Sequence, residues 1–250
     1  MINFQVKHDI PKLQAQLDAL TRKHVPDAFI VALNRTAYDV VFSLKRQMRE
    51  VFDRPTSFAL RSFYVDSAKS SRPIAYVRPK DEAGKGTRAV NYMHPGIYGG
   101  DRRGKRHEVL LRRRGYLGGE RFTTPGPGAT LNAYGNISAS TYVGILSKLG
   151  AFPESGSTMN VSEESRKRSR FKRQAQYFGI PDGREKGLRP GVYKRVGKGI
   201  TRVLNFIASP TYSPRLLFGQ IGKRVSDLRF TPNFNKALGD VVARALRRAA

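Results

Sequence analysis

The fold class follows first from residues 26–52, PDAFIVALNRTAYDVVFSLKRQMREVF, which contain no glycine and no proline after the first position. Apolar side chains recur every three or four positions along this stretch, at Ile30, Leu33, Ala37, Val40, Leu44, Met48 and Val51. The other side carries charged residues: Arg35, Asp39, Lys45, Arg46 and Arg49. This spacing predicts a long amphipathic helix with one buried stripe. The DRP sequence at 53–55 ends it, because a residue before proline avoids helical geometry.

Shorter elements are predicted on both sides of this helix. Residues 2–6 alternate apolar and polar side chains, which is typical of a short strand, and residues 10–22 carry leucines at helical spacing. After the long helix, Thr56 or Ser57 can cap a second, short helix. Residues 63–65 and 73–79 are rich in aromatic and β-branched side chains, and they predict a hairpin or two neighbouring antiparallel strands.

The middle of the chain is rich in glycine, proline and arginine. Polar residues 80–91 predict a loop, and residues 93–100 are expected to open an irregular region. Residues 101–114 predict a short, very basic helix with Val109, Leu110 and Leu111 inside.

The next part combines an irregular stretch with one clear helix. Residues 115–137 contain too many glycines and prolines for a regular element, with a tight turn at 132–136. Ser138 can cap a helix that ends at Gly150. The polar, serine-rich residues 153–173 predict a loop that becomes ordered only on assembly.

Strands and helices return towards the carboxyl end. Residues 175–180, 191–195 and 201–207 predict three strands separated by glycine and proline turns. A helical segment is expected from Pro214, and a last, separate helix from about 232 to 249.

The resulting layout is an α+β fold. We expect an antiparallel sheet packed against the long amino-terminal amphipathic helix and a carboxyl-terminal helix. The whole chain, residues 1–250, is predicted to be a single domain. Within it, a long, basic, loop-dominated insertion rich in glycine and proline occupies about residues 80–173.

The charge of the chain points to a polyanionic neighbour. Lys and Arg total 46 against 19 acidic residues, which gives a formal net charge of +27. A protein this basic repels itself unless a polyanion or a partner surface offsets the charge, and phosphate contacts by Arg and Lys favour nucleic acid through counterion release.

The absence of cysteine excludes disulfides and thiolate metal sites. The start of the chain predicts no signal peptide, and no run of about 18 apolar residues predicts a membrane span.

The polar residues do not form a pattern that predicts catalysis. His8, His24, His94 and His107 lack the spacing of metal ligands, and each is interpreted as a surface or satisfied structural residue. The acidic pairs at 81–82 and 163–164 lie in polar stretches, and the GKGT sequence at 84–87 lacks the spacing of a phosphate-binding loop. We therefore expect no enzyme, no catalytic residue, no metal and no cofactor.

Two basic clusters are the candidate nucleic-acid-binding residues. The first consists of Arg102, Arg103, Lys105, Arg106, Arg112, Arg113 and Arg114. The second consists of Arg166, Lys167, Arg168, Arg170, Lys172 and Arg173. Sequence-independent phosphate contact and a salt-bridged surface facing an acidic subunit are both open at this point. Base-specific recognition is not expected, because no motif of a base-reading domain occurs.

Several motifs in order resemble the minor tail proteins of protein Z type from tailed phages. They begin with ALNRTA at 32–37, FDRPT at 52–56 and LRSFYV at 60–65. They continue with GKGT at 84–87, PGIYGG at 95–100, the arginine and lysine pairs at 102–103 and 105–106, NAYGN at 132–136 and GVY at 191–193. The resemblance covers most of the chain from about residue 28 onwards.

This resemblance implies a structural virion component that completes the tail or joins it to the head, assembled in the bacterial cytoplasm. It implies a ring around the DNA channel, often of six copies in such proteins, with other tail or neck proteins and packaged DNA as partners and no membrane. Such a ring needs two different complementary patches on each subunit. The family supplies no catalytic residue. The alternative is a free, sequence-independent nucleic-acid-binding protein, which explains the charge equally well but not the ordered motifs.

Overall fold

A computed structural model describes residues 24–81, 88–153, 159–162, 176–183 and 187–249, with single residues at 18, 22, 164, 165 and 168. The chain forms two compact units. The first, here called the helical unit, comprises Met1–Val90 with Arg215–Ala250, and the second, the sheet unit, comprises Asn91–Pro214. The predicted strand at 2–6 lies outside the described residues, as does nearly all of the predicted helix at 10–22.

Two long helices dominate the helical unit. Helix α1 is Val25–Val51, which confirms the helix predicted over 26–52, and it packs against a second long helix that spans Phe218–Ala249. The pair is antiparallel, since Ala28 lies in one cluster with Ala237 and Val241 while Gln47 accepts a hydrogen bond from Leu217 N–H. Small side chains let the two helices approach closely, because Ala28 and Ala237 are fully buried at the contact.

The carboxyl-terminal helix corrects one prediction. Residues 214–249 were expected to form two helical pieces divided at Pro232, whereas the structure has a single helix with Pro232 inside it. Proline removes one helical hydrogen bond and disfavours the preceding turn. The next residue, Asn233, is buried and donates hydrogen bonds to Thr36 Oγ1 and Asp39 Oδ2 of α1, at 3.1 and 2.9 Å. These contacts hold the helix together across the proline.

A short helix and a hairpin complete the helical unit. Helix α2, Ser57–Leu60, is capped by Thr56, whose hydroxyl accepts from Ala59 N–H at 3.1 Å. Strands β1, Phe63–Asp66, and β2, Tyr76–Pro79, pair antiparallel, as predicted. Both strands contact α1, and the Asn34 side chain binds the backbone N–H and carbonyl of Ala68 beside the hairpin.

The sheet unit contains short helices and six strands in the described residues. In chain order they are α3 (Ala89–Tyr98), β3 (Gly100–Asp101), α4 (Arg106–Arg113), β4 (Phe122–Pro125), α5 (Ala139–Lys148), β5 (Gln176–Ile180), β6 (Gly191–Val196), β7 (Gly199–Ile207) and β8 (Thr211–Tyr212), followed by the carboxyl-terminal helix, α6. Strands β4, β7, β6 and β5 form an antiparallel sheet in that order, and β3 pairs with β8.

Most local predictions in this unit are confirmed. Helix α5 starts at the Ser138 cap, with Gly150 following at a positive φ of 63°. The turn at 132–136 is closed by backbone hydrogen bonds from Asn132 N–H to the Asn136 carbonyl and from Gly135 N–H to the Asn132 carbonyl. The three predicted strands appear as β5, β6 and β7. Within α4, Leu110 and Leu111 are buried as expected, but Val109 is exposed.

Two stretches that were expected to be irregular are regular, and those predictions were wrong. Residues 93–100 lie largely in α3, which accommodates Pro95 and ends at Gly99, whose φ of +78° few other residues adopt. Residues 122–125 within the stretch 115–137 form β4, an edge strand paired with β7. A short edge strand ending in proline gives little local signal, because its stability comes from its partner strand.

The fold class is confirmed as α+β with antiparallel sheets and a long helix near each end. The sheet unit has its own apolar core, built from α4, α5 and the sheet, with Leu111, Ile145, Val192 and Leu204 fully buried. Of the insertion expected at about 80–173, residues 91–153 belong to the sheet unit, whose core also contains Val192, Val203, Leu204 and Phe206. The single-domain boundary of 1–250 stays a prediction.

Candidate nucleic-acid interface

Helix α4 carries the first basic cluster, and a glutamate organises its start. Lys105 precedes the helix in extended conformation, and its backbone N–H donates to Glu108 Oε2 at 2.6 Å. A glutamate three residues after the cap commonly reaches back in this way. One side of the helix, with His107, Glu108, Leu110 and Leu111, faces the core.

Glu108 is completely buried and fully hydrogen-bonded. Arg102 donates two bonds to its carboxylate, Nη1 to Oε2 at 2.8 Å and Nη2 to Oε1 at 2.6 Å. Thr123 of β4 donates from its backbone N–H at 2.8 Å and from its hydroxyl at 2.9 Å. Burial alone would raise the pKa of this carboxyl, but the bonds from Arg102, Thr123 and Lys105 lower the pKa from 4.5 to about 2. Glu108 is thus a buried anion that ties α4 to β4.

His107 belongs to the same network. Its Nε2 lies 2.8 Å from Thr123 Oγ1, and its ring stacks on Tyr142 with 4.1 Å between the centroids. Because the Thr123 hydroxyl hydrogen is directed at Glu108, the histidine nitrogen is the donor in this contact. Burial lowers the pKa of His107 from 6.5 to about 4, so the ring is neutral at pH 7. This is a satisfied structural histidine.

Arg102 and Arg112 differ from the rest of the first cluster because both are partly buried and contact other parts of the sheet unit. Their contact with phosphate stays a prediction. Arg102 has only 13% of its side chain exposed and is paired with Glu108. Arg112 donates to the carbonyls of Arg121 at 2.5 Å and Gly118 at 3.4 Å. Both guanidinium groups also lie over the Phe122 ring. Arg102 therefore has most of its donors bound to protein acceptors, whereas Arg112 uses two of its five N–H groups in this way.

The other members of the first basic cluster are exposed, and we call them the exposed cation set: Arg103, Lys105, Arg106, Arg113 and Arg114. None of the five forms an ion pair with a described carboxylate. Arg106 and Arg113 are seven residues apart, so they share one side of α4. The exposed Val109 lies between them on that side. Arg106 and Arg113 are thus exposed cations without an ion pair on one side of α4, and Arg103, Lys105 and Arg114 flank the helix. Desolvation lowers the pKa of the Lys105 ammonium group.

The second basic cluster lies almost entirely outside the described residues. Only Arg168 is described, and it is exposed, with Nη2 3.9 Å from Glu164 Oε2 one helical turn away. Arg166, Lys167, Arg170, Lys172 and Arg173 are not described, nor are the GKGT motif at 84–87 and most of the loop predicted at 153–173.

Sequence reasoning missed the anchor of this site. Lysine is not a residue type that marks the start of a helix, so the spacing of Lys105 and Glu108 gave no capping-box signal in the sequence. The partners Arg102 and Thr123 had no signal either, because β4 was not predicted.

The described residues contain no group of three or more acidic or histidine side chains that could hold a metal ion. No described helix is long and apolar enough to cross a lipid bilayer. In the helical unit, an open, mostly polar groove of about 430 Å³ is lined by Ser43, Arg46, Gln47, Glu50, Leu217, Gln220, Ile221 and Arg224.

Comparison with known proteins adds no family: no family model, no curated protein and no solved structure matches this chain.

Proposed function

We propose that this protein is a non-enzymatic structural subunit of a tailed-phage virion, a ring-forming tail-completion, terminator or head-to-tail connector component close to packaged DNA. The observation that carries the proposal is the exposed cation set, whose five charges have no partner among the described residues of a chain with net charge +27. Charge of this density needs a polyanion or an acidic subunit to offset it. A virion neck or tail provides both.

The anchoring of α4 supports phosphate contact over a purely solvated surface. The buried bonds of Glu108 to Arg102 and Thr123 fix the helix, so Arg106 and Arg113 start from a defined position. A fixed scaffold lowers the entropy lost on binding. The exposed set lacks an arrangement that would read base edges, and the contact proposed is therefore with the phosphate backbone.

The placement in a tail or neck rests on the ordered motifs that resemble protein Z-type minor tail proteins. Two of these motifs have defined structural roles: FDRPT at 52–56 ends α1 and caps α2, and NAYGN at 132–136 forms a closed turn. The proposed partners are further copies of the chain in a ring, other tail or neck proteins and packaged DNA.

A charge-reversal experiment tests the DNA contact. We expect Arg106→Glu with Arg113→Glu to weaken binding to a short duplex about tenfold or more and to reduce the slope of log K against log salt by about 2. The matched control is Lys236→Glu with Arg247→Glu, two exposed cations of α6 with the same change in charge. Equal weakening by both pairs would show that the charge acts diffusely and that α4 is not the contact.

Assembly is tested separately. The proposal expects rings by electron microscopy under assembly conditions, the chain in purified particles, and genes for portal, tail-tube or tape-measure proteins beside its own. A stable monomer that binds duplex DNA in a salt-sensitive way without forming rings would favour the free nucleic-acid-binding protein. Turnover of a nucleic acid or cell-wall substrate by the pure chain would contradict both.

A further inference from the structure

One exposed face of α1 carries aromatic and basic side chains and is distinct from the buried stripe. Four residues follow each other there at spacings of four, three and four, and we call them the heptad face: Tyr38, Phe42, Lys45 and Arg49. Towards the amino end of α1 the same side is already covered by α6, because Val31 packs against the cluster of Ala28, Ala237 and Val241. The buried side of the helix holds Ala32, Leu44 and Met48 against the rest of the helical unit. Side chains four residues apart form a ridge on a helix, and such a ridge packs into the groove of a second helix.

Two large aromatic side chains belong to the heptad face. Tyr38 is 60% exposed and Phe42 is 69% exposed, four residues apart on one side of the helix. Two other exposed rings of this unit have aromatic or cationic neighbours: Phe29 contacts Phe230, and Tyr76 lies beneath Arg78. Aromatic side chains are enriched where proteins bind one another and often contribute most of the binding energy.

The charges on the heptad face indicate which kind of partner it can bind. Lys45 and Arg49 come three and seven residues after Phe42 on the same face. Neither forms an ion pair with a described carboxylate. Arg35 is paired with Asp240 at 3.1 Å. A second copy of this chain would bring more positive charge to the face, which costs free energy. A partner with carboxylates opposite Lys45 and Arg49 gains from the same charges.

We propose that the heptad face binds a helix of an acidic partner protein, with apolar side chains on Tyr38 and Phe42 and carboxylates beside Lys45 and Arg49. The face from Tyr38 to Arg49 is roughly 17 Å long at 1.5 Å per residue, which suits a partner helix of about three turns or more. Nucleic acid fits less well, because stacking platforms for bases combine aromatic rings with a basic groove, whereas this surface is the convex side of a helix. The inference does not rest on the virion assignment.

A designed probe tests the proposal on the full chain. The probe is a synthetic helical peptide of four heptads with leucine at the a and d positions and glutamate at e and g, and its counterpart has lysine at e and g. We expect the glutamate peptide to bind the unaltered protein, and Tyr38→Ser with Phe42→Ser to weaken this binding about tenfold or more. Lys45→Glu with Arg49→Glu should reverse the preference towards the lysine peptide.

Matched controls separate the heptad face from the overall charge. Leu228→Ser removes an apolar side chain of α6 that is 66% exposed, and Lys236→Glu with Arg247→Glu changes charge away from the face. Both should bind the glutamate peptide within about threefold of the unaltered protein, and circular dichroism and thermal melting should show that every variant is folded. The proposal is overturned if the unaltered protein does not bind the glutamate peptide. It is also overturned if the double serine variant binds it equally well, or if single-stranded DNA crosslinks to a photoreactive residue at position 42.

Discussion

At Glu108, a single carboxylate connects the basic helix α4 to the sheet. It accepts bonds from Arg102, from Lys105 N–H and from both donors of Thr123, and water has no access to it. A buried ion pair of this kind adds little stability relative to an apolar pair, but removing one partner leaves an uncompensated charge inside the protein. The exposed cation set therefore depends on a residue that no ligand touches.

Replacing Glu108 by glutamine should destabilise the protein by about 3 kcal/mol, because Arg102 is left buried without its counter-ion. Urea unfolding monitored by circular dichroism measures this change. The control is Glu50→Gln, which breaks an exposed ion pair with Arg46 and should cost less than about 0.5 kcal/mol. A similar effect of the two substitutions would contradict the role given to Glu108.

The same network makes stability depend on pH. The pKa of Glu108 is lowered from 4.5 to about 2, so its contribution is present above pH 4.5 and is lost as pH falls towards 2. The pKa of His107 is lowered from 6.5 to about 4, and the folded protein resists protonation that the unfolded chain accepts. Stability should therefore begin to fall below about pH 6.5.

Unfolding free energies measured from pH 7 to pH 3 check this dependence. In His107→Gln the decline between pH 6.5 and 4 should be reduced, whereas the decline below pH 4.5 should remain. In Glu108→Gln the decline in stability below pH 4.5 should be reduced instead. An unchanged profile in both variants would show that other groups control acid unfolding.

Among the elements, α6 shows how tertiary contacts can override a local signal. A proline inside a helix normally divides or kinks it, and Pro232 predicted such a division. The antiparallel contact with α1 continues on both sides of the proline, from Gln47 and Leu217 at one end to Ala28 and Val241 at the other. The packing of the whole of α6 against α1 outweighs the loss of one helical hydrogen bond at Pro232.

Asn233→Ala should destabilise the pair of long helices by about 2 kcal/mol, because Thr36 and Asp39 lose a buried donor. Thermal and urea unfolding measure the loss. Asn235→Ala is the matched control, since Asn235 lies on the same helix two residues later and is exposed. Its effect should stay within about 0.5 kcal/mol. If the two alanine variants were equally stable, the buried bonds of Asn233 would not hold the helices together.

For the whole molecule, the net charge of +27 is the dominant electrostatic property. Like charges at this density destabilise the compact state, and salt screens them with a Debye length of about 10 Å at 0.1 M. The interior pair of Arg102 and Glu108 is screened much less, because both side chains are removed from solvent. Added salt should therefore reduce the repulsion between exposed cations more than it weakens the interior ion pair of Arg102 and Glu108.

The melting temperature should rise by a few degrees between about 20 mM and 300 mM sodium chloride. Differential scanning fluorimetry measures the change, and a short polyphosphate at equal ionic strength should raise it further if it binds the folded state. A melting temperature that falls with added salt would mean that surface ion pairs, such as Arg72 with Asp66, outweigh the repulsion.

Local signals in the amino-acid sequence were enough to predict several elements. Helix α1, the caps at Thr56 and Ser138, the turn at 132–136 and strands β5 to β7 each depend on residues a few positions apart, whose preferences act within one element. The continuity of α6, the formation of β4 and the exposure of individual arginines in the first cluster depend instead on contacts between residues far apart in the chain. Arg102 contacts Glu108 in the first turn of α4 and Thr123 in strand β4. Which groups pair with a charged side chain depends on their distance in the folded protein, and the neighbouring residues in the chain do not specify that distance.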